Sequence, residues 1–242
     1  MSATEATNQL LERLPRGEAP RFISKCELVD LDLHSILCES DEPIRFVYFP
    51  CIGFISLVTS VESRPPLELN LIGKEGMLGA SLILGQNRAP ICGIVQGAGS
   101  ALRMDTASFC QALGASPALR QLLGRYLYVL MAQSSHIASC THFHGIEQRL
   151  ARALLSTHDR VAKDRFTLTH QSLADMLGVL RSAVTIAAGK LQALALISYS
   201  RGQINIVNRA GLEAMSCGCY EIVSADYSKL FSPAHQASLR SM

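Results

Sequence analysis

Residues 168–192 read LTHQSLADMLGVLRSAVTIAAGKLQ, two apolar-periodic runs separated by little more than Gly178. Thr169 has the chemistry of a helix N-cap, since its hydroxyl can accept from a free backbone N–H in the first turn. Leu173, Met176 and Leu177 then share one face. Ala174 is small where a crossing helix must come close. Gly178 can adopt the left-handed conformation that ends a helix. The second run places Val184, Ala187, Ala188 and Leu191 at offsets 0, 3, 4 and 7, one buried face of a second helix. A small residue, a glycine four positions on and a β-branched core residue six beyond that is helix-turn-helix spacing. LISY and QINIV, flanking Ser200-Arg201-Gly202, follow as a strand-like hairpin, so the pair reads as a winged helix. An ordinary helical hairpin in a bundle is the competing reading.

Charge favours the first of these. Lys and Arg number 11 against 13 Asp and Glu through His144, and 11 against 7 from Gly145 onward. Between Arg149 and Arg209 the count is 9 against 3. A basic second half points to an acidic partner. The composition, 48% hydrophobic and 17% charged, belongs to a packed chain rather than a disordered one.

Upstream the period changes. From Phe22 to Phe109 the chain shows short strand-like runs, FVYFP, GFISLVTSV, LELNLIG, ICGIVQG and SALRM, punctuated by turn residues as in a β-barrel or sandwich. Asn8 to Leu14 reads as a short amphipathic helical piece ending at Pro15. From about Pro117 to Cys140 a long helix is expected. Leu123, Tyr126, Leu130, Gln133, Ile137 and Cys140 follow 3,4,3,4,3 spacing, which predicts a dimer seam. Leu119, Leu122, Leu127, Met131 and Ala138 form a second apolar row, so the helix is covered on more than one side. IEQRLARALLSTHDRV starts another helix, and the chain is expected to stay helical to Leu196 apart from the break at Gly178. A final helical piece begins near Gly211.

The whole chain resembles transcription regulators of the Crp/Fnr type over roughly residues 10 to 230. The carrying stretches are LTHQSLADMLGV, VTIAAGKLQALALISYSRGQINIVNRAGLEAM and CGCY, with LIGKEGMLGASLILG and SALRM upstream. The resemblance implies an α+β chain. It would comprise an N-terminal β-roll (jelly-roll-like, cyclic-nucleotide-binding-like) over 1–116, a dimerisation helix over 117–144, a winged helix-turn-helix over 145–230 and a tail over 231–242. The partners expected are double-stranded DNA carrying a palindromic operator, a second copy of the chain, and RNA polymerase.

Family positions that commonly carry a base-reading Glu and Arg hold Ser182 and Ile186 here, and Leu180 stands where a basic residue often precedes the helix. Arg181 is then the side chain able to grip guanine in bidentate fashion, and Thr185 and Ile186 suit thymine methyls. Thr169, His170 and Gln171, at the start of the first helix, and Arg201, at the hairpin tip, are expected at the DNA backbone, where contacts position without specifying.

In the cyclic-nucleotide pockets of the family, a Glu holds the ribose hydroxyl and an Arg the cyclic phosphate, beside a glycine turn. Here Gly79 is followed by Ala80 at the Glu position. Arg88, the remaining candidate for the Arg, stands about two residues too near. Cyclic AMP is therefore not expected to bind, and no cofactor or metal is expected. A metal-, haem- or redox-responsive regulator using His136, Cys140 and His144, spaced four apart, is the alternative. So is a family member that binds protein instead of DNA. The eight scattered cysteines include no C-x-x-C pair, and Cys26 and Cys38 do not make the N-terminal cluster of iron–sulfur members; a reduced cytoplasmic protein is the natural reading. Gly97 and Gly99 lack the third glycine of a dinucleotide fingerprint. P-loop, G-x-S-x-G and H-E-x-x-H motifs are absent, so no enzyme is expected. No signal peptide is read at the start, and no apolar stretch approaches the ~20 residues of a membrane helix.

Overall fold

The computed structural model describes residues 7–59, 66–161 and 163–231. The chain forms two compact units. One takes in the described residues up to Leu57, Leu71–Ala132 and the chain from Ser224; the other comprises the described residues of 58–70 and Gln133–Val223. The expected 231–242 tail, apart from Phe231, and the end of the GFISLVTSV run at 60–61 lie outside the described residues.

One sheet is ordered β1-β5-β3-β4, with β2 also on β5, and β1, β2, β5 and most of β3 belong to the first unit. These strands are β1 (Glu27–Leu31), β2 (Ile36–Cys38), β3 (Phe46–Thr59), β4 (Leu67–Ile72) and β5 (Cys92–Asp105). β1 and β2 run antiparallel to β5, with Glu27 opposite Arg103 and Leu31 opposite Gly99. Side chains alternate across a strand. Val47 and Phe49 of β3 and Leu102 and Met104 of β5 therefore enter one apolar cluster, while Tyr48, Val95 and Ala101 enter another. Both faces are covered, which is why FVYFP is apolar without interruption.

Two pairs of expected runs are single strands. β3 continues through Pro50–Gly53, and β5 through Gly97–Gly99. The glycines there answer a close backbone approach instead of a turn. A Cβ on Gly53 would lie 2.2 Å from the Gly97 carbonyl oxygen, and one on Gly99 would lie 2.2 Å from that of Ile52. The Pro50 carbonyl accepts from the buried Asn8 Nδ2 at 2.8 Å, whose Oδ1 in turn takes the N–H groups of Leu10 and Leu11. That bond network fixes a 3₁₀ turn at Leu11–Arg13 in place of the expected helical piece.

Helices α1 (Glu18–Ile23) and α2 (Thr106–Ala115) overlap the two ends of the region read as strands. The carboxylate of Asp105 caps α2 by accepting from Ser108 N at 2.9 Å. The long helix α3 spans Pro117–Phe143. Leu119, Leu122, Leu123, Tyr126, Val129 and Leu130 of α3 pack into the first cluster. The Tyr126 hydroxyl donates to the Met77 carbonyl at 3.1 Å.

The second unit contains α4 (Ile146–Val161), β6 (Arg165–Thr167), α5 (His170–Leu177) and α6 (Arg181–Ala193). After them come β7 (Ile197–Ser200), β8 (Gln203–Ile206), α7 (Arg209–Met215) and the first part of α8 (Cys219–Phe231). The stretch expected to be helical up to Leu196 is interrupted by β6, which joins the hairpin as β6-β8-β7. Thr167 lies opposite Gln203, and Ile197 opposite Ile206.

Candidate nucleic-acid interface

α5 and α6 meet at 109°, within the range of a DNA-binding helix-turn-helix. The turn closes as the local chemistry requires. The Thr169 hydroxyl accepts from Ser172 N at 3.0 Å. Gly178 sits at φ 62°, its N–H reaching Asp175 O at 3.3 Å and that of Val179 reaching Ala174 O at 3.0 Å, a Schellman closure. The buried guanidinium of Arg149, on α4, donates to the Leu177 carbonyl and so serves one of the last orphan acceptors of α5. Leu173, Ala174, Met176 and Leu177 pack inward from α5, and Val184, Ala187, Ala188 and Leu191 from α6.

That burial turns Arg181, Ser182, Thr185, Ile186 and Gly189 outward. The Arg181 side chain is exposed and makes no hydrogen bond or ion pair among the described residues. Ile186 is 62% exposed and Leu180, just ahead of the helix, 74%. Lys190, the other cation of α6, is held by Glu147. The Thr185 hydroxyl donates to Arg181 O at 3.0 Å and faces His170 Nδ1 at 3.0 Å, so its methyl is what remains for a base. Arg201 stands exposed at the hairpin tip in the left-handed region, φ 49°.

The residues at the head of α5 are engaged within the unit. Gln171 Nε2 donates to Asp175 Oδ1 at 2.8 Å. The His170 ring stacks on Tyr199 with centroids 4.0 Å apart, joining α5 to α6 and to the wing strand β7. Burial, and secondarily Arg181, lowers the His170 pKa below the ordinary 6.5. The unfolded chain therefore takes up this proton first on acidification. The contribution of His170 to stability is complete above about pH 6.5 and is lost as the pH falls below it. The thermal midpoint is expected to drop more from about pH 7 to about pH 5.5 in the native protein than in His170→Gln. Equal drops would remove His170 from the account.

With this geometry in place, the likenesses to known proteins can be read. Residues 148–215, from α4 through α7, match the family model described as a Crp-like helix-turn-helix domain. Among solved structures the chain is similar to FixK2 from Bradyrhizobium japonicum, with TM-score 0.69 and 15% identity over 79% of this chain and 98% of that one. The c-di-GMP responsive global regulator CLP of Xanthomonas campestris gives 0.65 and 16%, over 79% and 99%. A CRP/FNR-family transcriptional regulator from Thermus thermophilus gives 0.63 and 20%, over 78% and 98%. Residues 148–215 form a Crp-like helix-turn-helix domain, and the chain shares the fold of these regulators. None of the curated proteins matches its sequence. No single helix among the described residues is long and apolar enough to cross a membrane.

Two of the expectations differ from the structure. The residues assigned to the dimer seam are interior. Leu123, Tyr126 and Cys140 are fully buried, and Leu130, Gln133 and Ile137 nearly so, within a single chain. They are the face that α3 turns to its own subunit. The exposed stripe lies on another side, at Gln121, Gly124, Tyr128, Met131, Ser135, Ala138 and His142. Its spacing is again 3,4,3,4,3,4. Met131 and Ala138 come from the second row read in the sequence. The other change concerns the histidine and cysteine face. Cys140 and His144 do meet, with Cys217 and Cys219 and without His136.

The positions compared with a cyclic-nucleotide pocket lie as follows. Gly79, at φ 97°, opens a 3₁₀ turn over Ala80–Leu84, and Ala80 packs into the main core. Arg88 is exposed and turned onto Asp41, donating to its carbonyl and pairing with its carboxylate at 3.5 Å. Without an acceptor at position 80, a ribose hydroxyl loses a charged hydrogen bond of roughly 1.5–3 kcal/mol. Calorimetry is expected to find cyclic AMP and cyclic GMP binding weaker than ~10 μM, about −6.8 kcal/mol. Tighter binding by either nucleotide would contradict this account of the site.

Proposed function

We propose that the protein is a homodimeric, sequence-specific DNA-binding transcription regulator of the cytoplasm, without enzymatic activity and without a cyclic-nucleotide effector. The observation that carries this reading is the Arg181 side chain, exposed and unpaired among the described residues at the first position of α6, on a Crp-like helix-turn-helix. It is seconded by Ser182, by the Thr185 methyl and by Ile186 on the same face. Arg201 grips phosphate from the wing, and the two first-turn N–H groups of α6 ahead of Ala183 suit a phosphate as well. Thr169, His170 and Gln171 hold the head of α5 in place beside the backbone.

Dimerisation runs through the exposed stripe of α3, where Tyr128 is 73% and Met131 62% exposed. Gly124, Ser135 and Ala138 around them are small enough to let a second helix approach. A two-fold dimer presents both α6 helices to one side of the duplex, so half-site centres lie ~10–10.5 base pairs apart, and RNA polymerase is the neighbour such a site recruits or blocks.

The test is selection of a duplex from a random pool, followed by titration against that duplex and an unrelated one at several salt concentrations. Specific binding with a steep inverse salt dependence supports the proposal, because each phosphate contact releases counterion. Equal affinity for both duplexes, or a flat salt dependence, refutes it and leaves a protein-binding module.

A further inference from the structure

Four ligand-bearing side chains meet in the second unit where the end of α3 faces the α7–α8 junction. Cys140 comes from α3 and His144 from the turn before α4, while Cys217 and Cys219 flank Gly218. The Cys140 and Cys217 Sγ atoms are 3.4 Å apart, and Cys219 Sγ is 3.6 Å from His144 Nδ1. All four ligand atoms lie within 4.8 Å of one another, the three cysteines buried and the histidine half-buried. A tetrahedral zinc ion, with bonds of about 2.3 Å to sulfur and about 2.0–2.1 Å to nitrogen, holds its ligand atoms roughly 3.5–3.8 Å apart. The cluster needs little movement to reach that arrangement. Three thiols and an imidazole suit a borderline-soft ion and repel the oxygen-seeking calcium and magnesium.

Charge supplies the independent argument. Arg149 and Arg152 act electrostatically on these cysteines. The Nε of each is buried without a hydrogen-bond partner, and neither pairs with a carboxylate among the described residues. Arg149 is buried and Arg152 half-buried, and a guanidinium withdrawn from water needs a counter-charge. Three thiolates around a dication carry a net charge of about −1, which supplies it.

We propose that Cys140, His144, Cys217 and Cys219 bind one Zn²⁺ in a closed structural site that ties the end of α3 to the start of α8. Four protein ligands leave no open position, which marks a structural rather than a catalytic ion. All four lie outside the stretch 148–215 that matches the Crp-like domain, just beyond its two ends. The site goes beyond the DNA-binding reading and stands or falls without it.

The test uses the full chain, purified anaerobically without metal-affinity resin or added thiol. Elemental analysis is expected to give one zinc per chain. Exchange with Co²⁺ should produce thiolate-to-cobalt charge-transfer bands and the intense visible bands of a tetrahedral ion. Cys140→Ser and Cys217→Ser should lose the metal, and Cys110→Ser, at an exposed cysteine outside the cluster, should keep it. Where the serine variants do not fold, the native protein decides, since a chelator should lower its thermal midpoint. Reduced protein with no zinc and no thiolate–cobalt band overturns the proposal. Iron in place of zinc does so too, as does a Cys140–Cys217 disulfide in the anaerobic protein.

Discussion

Aspartate at both Tyr128 and Met131 is expected to leave the protein monomeric at micromolar concentration while its fold survives. Both side chains are largely exposed in the single chain, so the substitutions remove nothing from its core. In the proposed two-fold interface each occurs twice. Burial of such a side chain contributes roughly 1.5–3 kcal/mol, so the four together raise the dimer Kd by at least roughly four orders of magnitude. Carboxylates brought together across the two-fold axis add repulsion. Leu123→Asp with Leu130→Asp would not make this test, because both leucines belong to the main core and the pair would unfold the subunit. Light scattering and circular dichroism read the two results separately. A dimer that survives Tyr128→Asp with Met131→Asp would place the interface elsewhere.

Arg181→Ala is expected to erase preference at one base pair in each half-site. A bidentate arginine–guanine pair supplies ~1–3 kcal/mol of discrimination, and no other side chain on the outward face of α6 can replace it. Lys190 is occupied by Glu147, and the Thr185 hydroxyl is bonded within the unit. Arg201→Ala should instead weaken every sequence alike and flatten the salt dependence by about one unit for each contact removed. Titrating both variants against the selected and an unrelated duplex at two salt concentrations separates the roles. If Arg181→Ala weakens both duplexes equally, Arg181 touches only backbone, and base preference must come from duplex shape or from Ser182 and its neighbours.

The helix-turn-helix was legible because its signals are local. Thr169, Ala174, Gly178 and Val184 lie within sixteen residues, and each acts on backbone a turn away. The buried and outward faces of α6 follow from the same period. Where partners are remote, less could be read. Gly53, Gly97 and Gly99 resemble turn residues, yet each makes room for a strand distant in sequence. On α3 the periodicity showed two apolar stripes but not which belonged to the subunit's own core. The metal-ligating set was hidden for the same reason, since Cys217 and Cys219 stand more than seventy residues beyond His144. Their single-residue spacing gives no zinc signature alone. At the head of α5, His170 and Gln171 are expected at the DNA backbone, and the sequence does not announce Tyr199 and Asp175 as the partners that engage them.

The division into units also bears on how the chain is made. Passing from Leu57 to Val58, back at Leu71, over again at Gln133 and back at Ser224, it changes unit four times. Tyr227 then packs against a core whose other members begin at Leu10. A ribosome therefore releases all of the second unit before the first has its last piece. Contacts between segments far apart in sequence are slow to form, because a long loop must close before they are rewarded. Fragments cut at a linker would each lack a piece of themselves, and a product stopped after Val223 would leave the older unit incomplete. The unit that is begun first is finished last.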